Sequence, residues 1–279
     1  MDVTRPSEIT DLLQRYGLKP RKSWGQNFLA NKGVVAKLMA AAQLTGAETV
    51  LEIGPGLGVM TEPLLDSSSQ VVAVEIDPLL CQFLARRFLQ RDNFQLVQGD
   101  ALAQDFSLLI PGPYIVVANL PYYITSPLLA KLVEEPQPPE RAVTLVQWEV
   151  ARRLTALPGT ADYGALSILI QYHCEAELLF KIGPGNFYPP PQVDSAAVRL
   201  QWRPSSFQPR NEKFMFRLVK IAFSQRRKML KGLLAAALGL SKDQAGKALA
   251  QIGLSEEIRG EKLSIKDFAA LADILEGQI

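Results

Sequence analysis

The sequence predicts a doubly wound α/β domain followed by a small all-helical domain. Three observations carry this. Short apolar runs alternate with amphipathic stretches from residue 49 to residue 134, the pattern of parallel strands covered by helices on both faces. The polar, proline-broken stretch Arg203-Pro204-Ser205-Ser206-Phe207-Gln208-Pro209 then marks a linker. Beyond it the periodicity is purely helical. The boundaries are placed at 1–204 and 205–279.

In chain order, residues 5–29 read as a basic arm with a short helix near Ser7–Tyr16, and Gly33–Gln43 has helical spacing. Strands follow at Thr49–Ile53, Gln70–Glu75, Phe94–Gln98 and Tyr114–Ala118, interleaved with helices at Met60–Asp66, Pro78–Phe88 and Ser126–Glu134. Ala142–Gln147 continues the sheet, a helix is expected over Trp148–Ala156, and strands near Ile168–Ala176 and Ala196–Trp202. The second domain reads as helices Glu212–Leu238, Ser241–Ile252 and Ile265–Leu275, the last with Ser264 as its N-cap.

Composition narrows the function classes. With 279 residues and 48% hydrophobic content the chain can bury a full core. No apolar run approaches the roughly 18–20 residues that span a bilayer, and Met1 to Lys22 lacks the apolar segment of a secretory signal. Cys81 and Cys174 have no spaced partners, so neither a metal site nor a disulfide framework is expected, and His173 is the only histidine. A cytoplasmic protein follows as the expectation. The net charge of +2 is uneven: residues 210–231 hold 8 basic side chains against 1 acidic, which suggests a polyanion partner, with a solvated helix face as the alternative.

The densest motif is Asn119-Leu120-Pro121-Tyr122, at the carboxyl end of a buried strand, where open α/β sheets bind ligands. Asn offers an amide oxygen, Pro stiffens the turn and leaves neighbouring carbonyls free, and Tyr adds a flat face. Together they suit a planar group with an exocyclic amine, such as adenine; a proline-terminated strand with a core tyrosine is the plainer reading. Glu52-Ile53-Gly54-Pro55-Gly56-Leu57-Gly58 follows the first strand, its third glycine one residue early for a dinucleotide fingerprint. Glu52 near this loop is expected to repel a phosphate and to suit a sulfonium or amine. Glu75 and Asp100 end the next two strands, placed to accept from ribose hydroxyls and from an adenine amine.

With these residues in place the chain resembles the ribosomal RNA adenine dimethyltransferase family, and within it the bacterial kasugamycin-sensitivity type. Gly25-Gln26-Asn27-Phe28-Leu29, the glycine loop, Glu75, Asp100 and Asn119 to Tyr122 match its motifs in order. Phe187-Tyr188-Pro189-Pro190-Pro191-Gln192-Val193-Asp194-Ser195, Ala222-Phe223-Ser224-Gln225-Arg226-Arg227-Lys228 and Arg259-Gly260-Glu261-Lys262-Leu263-Ser264 resemble three later ones, so the likeness runs from about residue 19 to the end. Tyr123, Gly232 and Gly260 depart from the residues usual there.

The resemblance implies a Rossmann-like S-adenosylmethionine-dependent methyltransferase domain with an RNA-binding helical domain. Its implied activity is dimethylation of the exocyclic amines of two adjacent adenosines in the 3′-terminal hairpin loop of 16S rRNA. The implied partner is an assembling small subunit, and the enzyme acts as a monomer without a metal. Asn27, Leu29, Gly54, Glu75, Asp100 and Asn119 are then expected to hold the cofactor, and Asn119, Leu120, Pro121, Tyr122 and Phe187 to hold the target base. Phe187 has a loop anchor in the core as its alternative. Arg226, Arg227 and Lys228 are expected to meet RNA, on a basic stripe with Arg217, Lys220, Ser224 and Lys231 along one helix through 213–231. Lys19, Arg21 and Lys22 are candidates for a second phosphate contact. Two other functions remain open on the sequence: an assembly factor without dominant methylation, and a DNA adenine methyltransferase.

Overall fold

The computed structural model describes residues 4–277, except for the side chain of Lys22. The N-terminal helix α1 (Pro6–Arg15) carries a proline in its first turn, where a missing N–H costs nothing, and buries Ile9, Leu12 and Leu13. The short strand β1 (Phe28–Leu29) leads to α2 (Lys32–Ala42), whose N-terminus is capped by the Asn31 side chain accepting from the Val34 N–H at 3.0 Å.

The alternating core then runs as expected, apart from a short helix at Phe106–Leu109 that the sequence does not predict: β2 (Thr49–Ile53), α3 (Thr61–Ser67), β3 (Gln70–Glu75), α4 (Pro78–Arg87), β4 (Phe94–Gln98), α5 (Phe106–Leu109), β5 (Tyr114–Asn119), α6 (Thr125–Glu134) and β6 (Arg141–Gln147). Asp77 caps α4 and Pro78 opens it. After α7 (Trp148–Leu154) and α8 (Ala165–His173) come β7 (Cys174–Ile182), β8 (Phe187–Tyr188) and β9 (Ser195–Trp202). Four helices complete the chain: α9 (Glu212–Ser224), α10 (Leu230–Leu238), α11 (Lys242–Gln251) and α12 (Ile265–Glu276).

The strands form a seven-stranded sheet in the order β4-β3-β2-β5-β6-β9-β7, and β1 pairs separately with β8. From β4 to β6 all neighbours are parallel; β9 runs antiparallel to β6. The chain steps outward from β2 to β3 and β4, then returns to place β5 on the other side of β2. That reversal opens a crevice at the carboxyl ends of β2 and β5, the place where such sheets take ligands. Val50, Val71, Ile115, Val117 and Val143 are buried in the surrounding core, so the strand ends are carried on a close-packed base.

The chain divides into two compact units, and the division differs from a single cut at 204/205. One unit runs to Ala151 and resumes over Ala176–Trp202; the other comprises Arg152–Glu175 and the chain from Arg203 onward. The apolar run at Ile168–Ala176, expected as a strand, is helical to His173 and becomes a strand only at Cys174. Periodicity does not separate a short buried strand from a buried helix. Here Ile168 and Tyr172 join the core of the helical unit, and the Tyr163 hydroxyl donates to the Leu263 carbonyl at 3.0 Å.

The long helix expected over Glu212–Leu238 is also broken. It ends at Ser224, Gln225 leaves the helical region (φ −144°, ψ 83°), and α10 starts at Leu230. Hydrogen bonds within the unit hold this corner: the Leu230 N–H donates to the Ile258 carbonyl, and Arg226 reaches the Ala161 carbonyl. The segment at Gly260 packs tightly on α9, since a Cβ there would lie 2.6 Å from the Ala222 Cβ. Ser264 caps α12 as expected, accepting from the Asp267 N–H at 3.2 Å. Among the described residues no helix is long and apolar enough to cross a membrane.

Candidate active site

A cleft enclosing about 920 Å³, counting space open to solvent, lies at the carboxyl ends of β2, β3, β4 and β5. Its lining draws together Asn27, Leu29, Gly54, Glu75, Asp100, Asn119, Leu120, Pro121 and Tyr122, residues up to 95 positions apart in sequence. The glycine loop after β2 turns through left-handed backbone at Gly54 (φ 69°) and Gly56 (φ 59°). At Gly56 a Cβ would also come within 3.0 Å of the Phe28 ring, so glycine is required there by conformation and by space.

Glu75 is buried beside this loop and accepts from the Gly56 N–H (3.1 Å) and the Asp77 N–H (2.9 Å). Burial pushes its carboxyl up from the ordinary value, and these backbone donors oppose the rise. Each oxygen keeps a lone pair for a further donor. Asp100 is exposed at the cleft and uses one oxygen to accept from the Leu102 N–H at 2.9 Å. The other oxygen is available.

Glu52 behaves differently from the expectation of a carboxylate facing the ligand. It is fully buried, does not line the cleft, and takes the Thr61 hydroxyl at 2.6 Å, while its second oxygen has no partner. Burial pushes its carboxyl up to about 8, so at neutral pH it is largely uncharged. Its alternation on β2 sends the side chain away from the crevice into the sheet face.

At the end of β5, Asn119 donates its side-chain N–H to the Asn27 carbonyl at 3.0 Å, which fixes the amide and leaves its oxygen to accept. The Pro121 carbonyl is already occupied, taking the Ile124 N–H (3.2 Å) and the Thr125 hydroxyl (3.1 Å). Of the two carbonyls at Leu120 and Pro121, that leaves Leu120 as the free acceptor. The Tyr122 ring is held through a 2.7 Å hydrogen bond between its hydroxyl and that of Ser195 at the start of β9. Phe187, in contrast, is 3% exposed, belongs to the hydrophobic core, and does not line the cleft. Its register opposite Leu29 makes it the anchor of the loop rather than an open stacking face.

Sequence reasoning missed the tether over the cleft. Gln26 donates to the Asp77 carboxylate (3.0 Å) and accepts from the Arg21 N–H (2.7 Å), and the Arg21 guanidinium lies 4.4 Å from the Trp24 ring centre. The bond to Gln26 uses the Arg21 backbone, while its guanidinium rests on Trp24 and stays part-exposed; the side chain of Lys22 lies outside the described residues. Asp77 before Pro78 has the local signature of an N-cap; its second role depends on a pairing 51 residues away that has no local signal.

The cleft's lining holds two acids, Glu75 and Asp100, and among the described residues no Lys, Arg or His. Such a site suits a cationic, phosphate-free nucleoside and disfavours a nucleotide. Hydroxyl acceptors, an amine acceptor and a glycine loop that admits close approach fit S-adenosylmethionine on that ground. No group of three or more potential metal ligands occurs among the described residues.

In the helical unit the cations divide into two kinds. Arg226 donates to the Ala161 carbonyl (3.0 Å) and pairs with Glu261 (3.5 Å), and Lys231 pairs with Glu256 (3.2 Å). Arg227 and Lys228 stand exposed on the corner between α9 and α10, and Lys213, Arg217 and Lys220 share one exposed face of α9. The continuous stripe expected through residue 231 is therefore interrupted at Gln225. His173 stacks on Phe216 in this unit and is not part of the cleft.

The model of a family described as Ribosomal RNA adenine dimethylase matches residues 17–276. The chain belongs to the ribosomal RNA adenine dimethylase family. It is 43% identical to "Ribosomal RNA small subunit methyltransferase A" of Pelotomaculum thermopropionicum over 97% of this chain and 96% of that protein. The Moorella thermoacetica protein of the same name is 41% identical over 98% and 99%. Among solved structures, a dimethyladenosine transferase from Plasmodium falciparum superposes with a TM-score of 0.77 at 28% identity, covering 90% of this chain and 97% of that one. The 23S rRNA methyltransferase ErmE gives 0.70 at 28%, covering 90% and 100%. This dimethylase is a Rossmann-like rRNA adenine methyltransferase that uses S-adenosylmethionine.

Proposed function

We propose that this dimethylase transfers two methyl groups to each of two adjacent adenosines in the loop of the 3′-terminal hairpin of 16S rRNA. It does so as a cytoplasmic monomer on an assembling small subunit. The observation that carries the cofactor half is a cleft with two carboxylates and, among the described residues, no cation, built on the switch point of the sheet. The names of the two relatives above 40% identity support the small subunit as the source of the RNA.

Glu75 takes the ribose hydroxyls on its remaining lone pairs, Asp100 takes the adenine amine of the cofactor, Asn27 and Leu29 border its methionine portion, and Gly54 lets the backbone pass close to the nucleoside. S-adenosylmethionine, when bound, supplies a methyl group on a sulfonium, activated without any covalent help from the enzyme. The target adenine leaves its stack, as base-modifying enzymes require, and lies against Tyr122. Its exocyclic nitrogen is a poor nucleophile because the lone pair is delocalised into the ring. In the first transfer the Asn119 oxygen and the Leu120 carbonyl accept its two hydrogens and pull the nitrogen toward tetrahedral geometry, which frees the lone pair; in the second, the one remaining hydrogen is held by one of these acceptors. Orientation supplies most of the effect. The alkylated nitrogen is strongly acidic and gives its proton to water, so no side chain has to act as base; His173 has no place in the step.

Incubation of the full chain with S-adenosylmethionine and immature small subunits, followed by mapping of N6,N6-dimethyladenosine, tests this reading. Dimethylation confined to the 3′-terminal hairpin of 16S rRNA is expected. Modification of large-subunit RNA instead would overturn the substrate assignment.

A further inference from the structure

Tyr123 follows the Asn119–Tyr122 segment, and none of the roles above uses it. It is a large aromatic side chain with 52% of its surface exposed, yet it lines the cleft. Its ring stands against the N-terminal segment: a Cβ built on Gly25 would lie 3.5 Å from Tyr123 Cδ1, and Gly25 itself turns through left-handed backbone (φ 59°). The hydroxyl lies within the field of the two acids. Its pKa is raised by desolvation and then by the carboxylates of Asp100 and Glu75. Tyr122 is tied by Ser195 and held in place; Tyr123 has no hydrogen bond within the protein among the described residues and is free to settle on a ligand. An exposed aromatic face beside two acids is complementary to a nucleoside, which offers a π face to the ring and hydroxyls to the acids.

We propose that Tyr123 is a positioning residue that covers the adenosyl part of the cofactor, closing the cleft over the Glu75–Asp100 side. The inference rests on the assignment of that side to the cofactor. Its consequence is affinity for any ligand with the adenosyl group, whatever is attached at the 5′ sulfur.

The test is calorimetric titration of the full chain, Tyr123→Ala and Tyr123→Phe with S-adenosylhomocysteine and with methylthioadenosine, alongside the KM for small-subunit RNA. Tyr123→Ala is expected to weaken both ligands by the same factor, about 5- to 100-fold, with Tyr123→Phe within about threefold of wild type. An unchanged dissociation constant for both ligands in Tyr123→Ala overturns the proposal, and a raised RNA KM in that variant would move the ring to the target base. If the wild-type chain itself binds neither ligand, the reading of the cleft fails instead. The side chain is half exposed and outside the core, so both variants should keep the wild-type melting temperature.

Discussion

In the cleft, the side chains assigned to chemistry are held from behind by a second group: Glu75 by two backbone N–H donors, Asn119 by the Asn27 carbonyl, Tyr122 by Ser195. On the corner of the helical unit the cations are graded, with Arg226 clipped to Ala161 and Glu261 while Arg227 and Lys228 project into solvent. On the proposed assignment, the difference follows from what each region would have to do. A transferred methyl tolerates little misalignment, so acceptors are fixed before the substrate arrives. A phosphate backbone is met by charge that need not be aimed, because its attraction is long-ranged and arises from counterion release. Substitutions in the first region should therefore give abrupt losses, and those in the second should give increments.

The largest effect is expected from Asn119→Ala. Loss of a fixed acceptor for the reacting amine should slow single-turnover methyl transfer by about a hundredfold or more, by analogy with the removal of one fixed transition-state hydrogen bond. A rate within about fivefold of wild type, in a variant of unchanged melting temperature, would take Asn119 out of the chemistry. Next, Glu75→Ala removes a charged acceptor worth about 1.5–3 kcal/mol. Calorimetry should show S-adenosylhomocysteine binding at least about tenfold weaker, and an unchanged affinity would break the assignment.

Glu52→Gln separates a buried acid from a working one. The Glu52 carboxyl stands at about 8 in the fold against an ordinary 4.5. Its folded pKa is raised, so its contribution to stability is complete below about pH 4.5 and is lost as pH climbs to about 8. The amide never ionises; denaturant unfolding at about pH 8.5 should find the variant more stable by roughly 2–5 kcal/mol, and at about pH 4 close to wild type. Equal pH profiles for the two proteins would mean that Glu52 is not held neutral.

The smallest and most graded effect belongs to the corner. Changing Arg227 and Lys228 to Gln should lower the log–log salt slope of RNA binding by about 0.7 for each phosphate no longer neutralised, without touching cofactor affinity. Arg226→Gln should instead show mainly as a lower melting temperature. If all three positions changed the slope alike, the division between clip and free cation would collapse.

Much of this is legible in the sequence because it is local. Strand ends carrying a glycine loop, Glu75, Asp100 and Asn119 follow from short apolar runs and the residue after each, and Gln70–Glu75 and Phe94–Gln98 are strands to the residue. What is not legible depends on partners distant in sequence. The run Ile168–Ala176 reads as a strand until the core it joins, with Leu263 and the helices beyond, is known. The break at Gln225 is made by hydrogen bonds to Ala161 and Ile258. Glu52 and Phe187 resemble site residues because motif position does not say which way a side chain points; pairing and burial settle both.

The wall of the cleft constrains the length of one loop. Asn119 bonds Asn27; the next residues, Phe28 and Leu29, pair with Tyr188 and Phe187; the chain continues to Ser195, which returns to Tyr122. These links close a circuit whose span from Tyr188 to Ser195 is a fixed number of residues. Within that span Asp194 is itself held, its carboxylate paired with Lys181 at 2.6 Å and its carbonyl accepting from the Trp148 N–H at 2.9 Å. The loop from Pro189 to Asp194 is thus anchored at both ends, at Tyr188 by the strand pair and at Ser195 by Tyr122, so a change in its length bears directly on the tyrosine that faces the cleft.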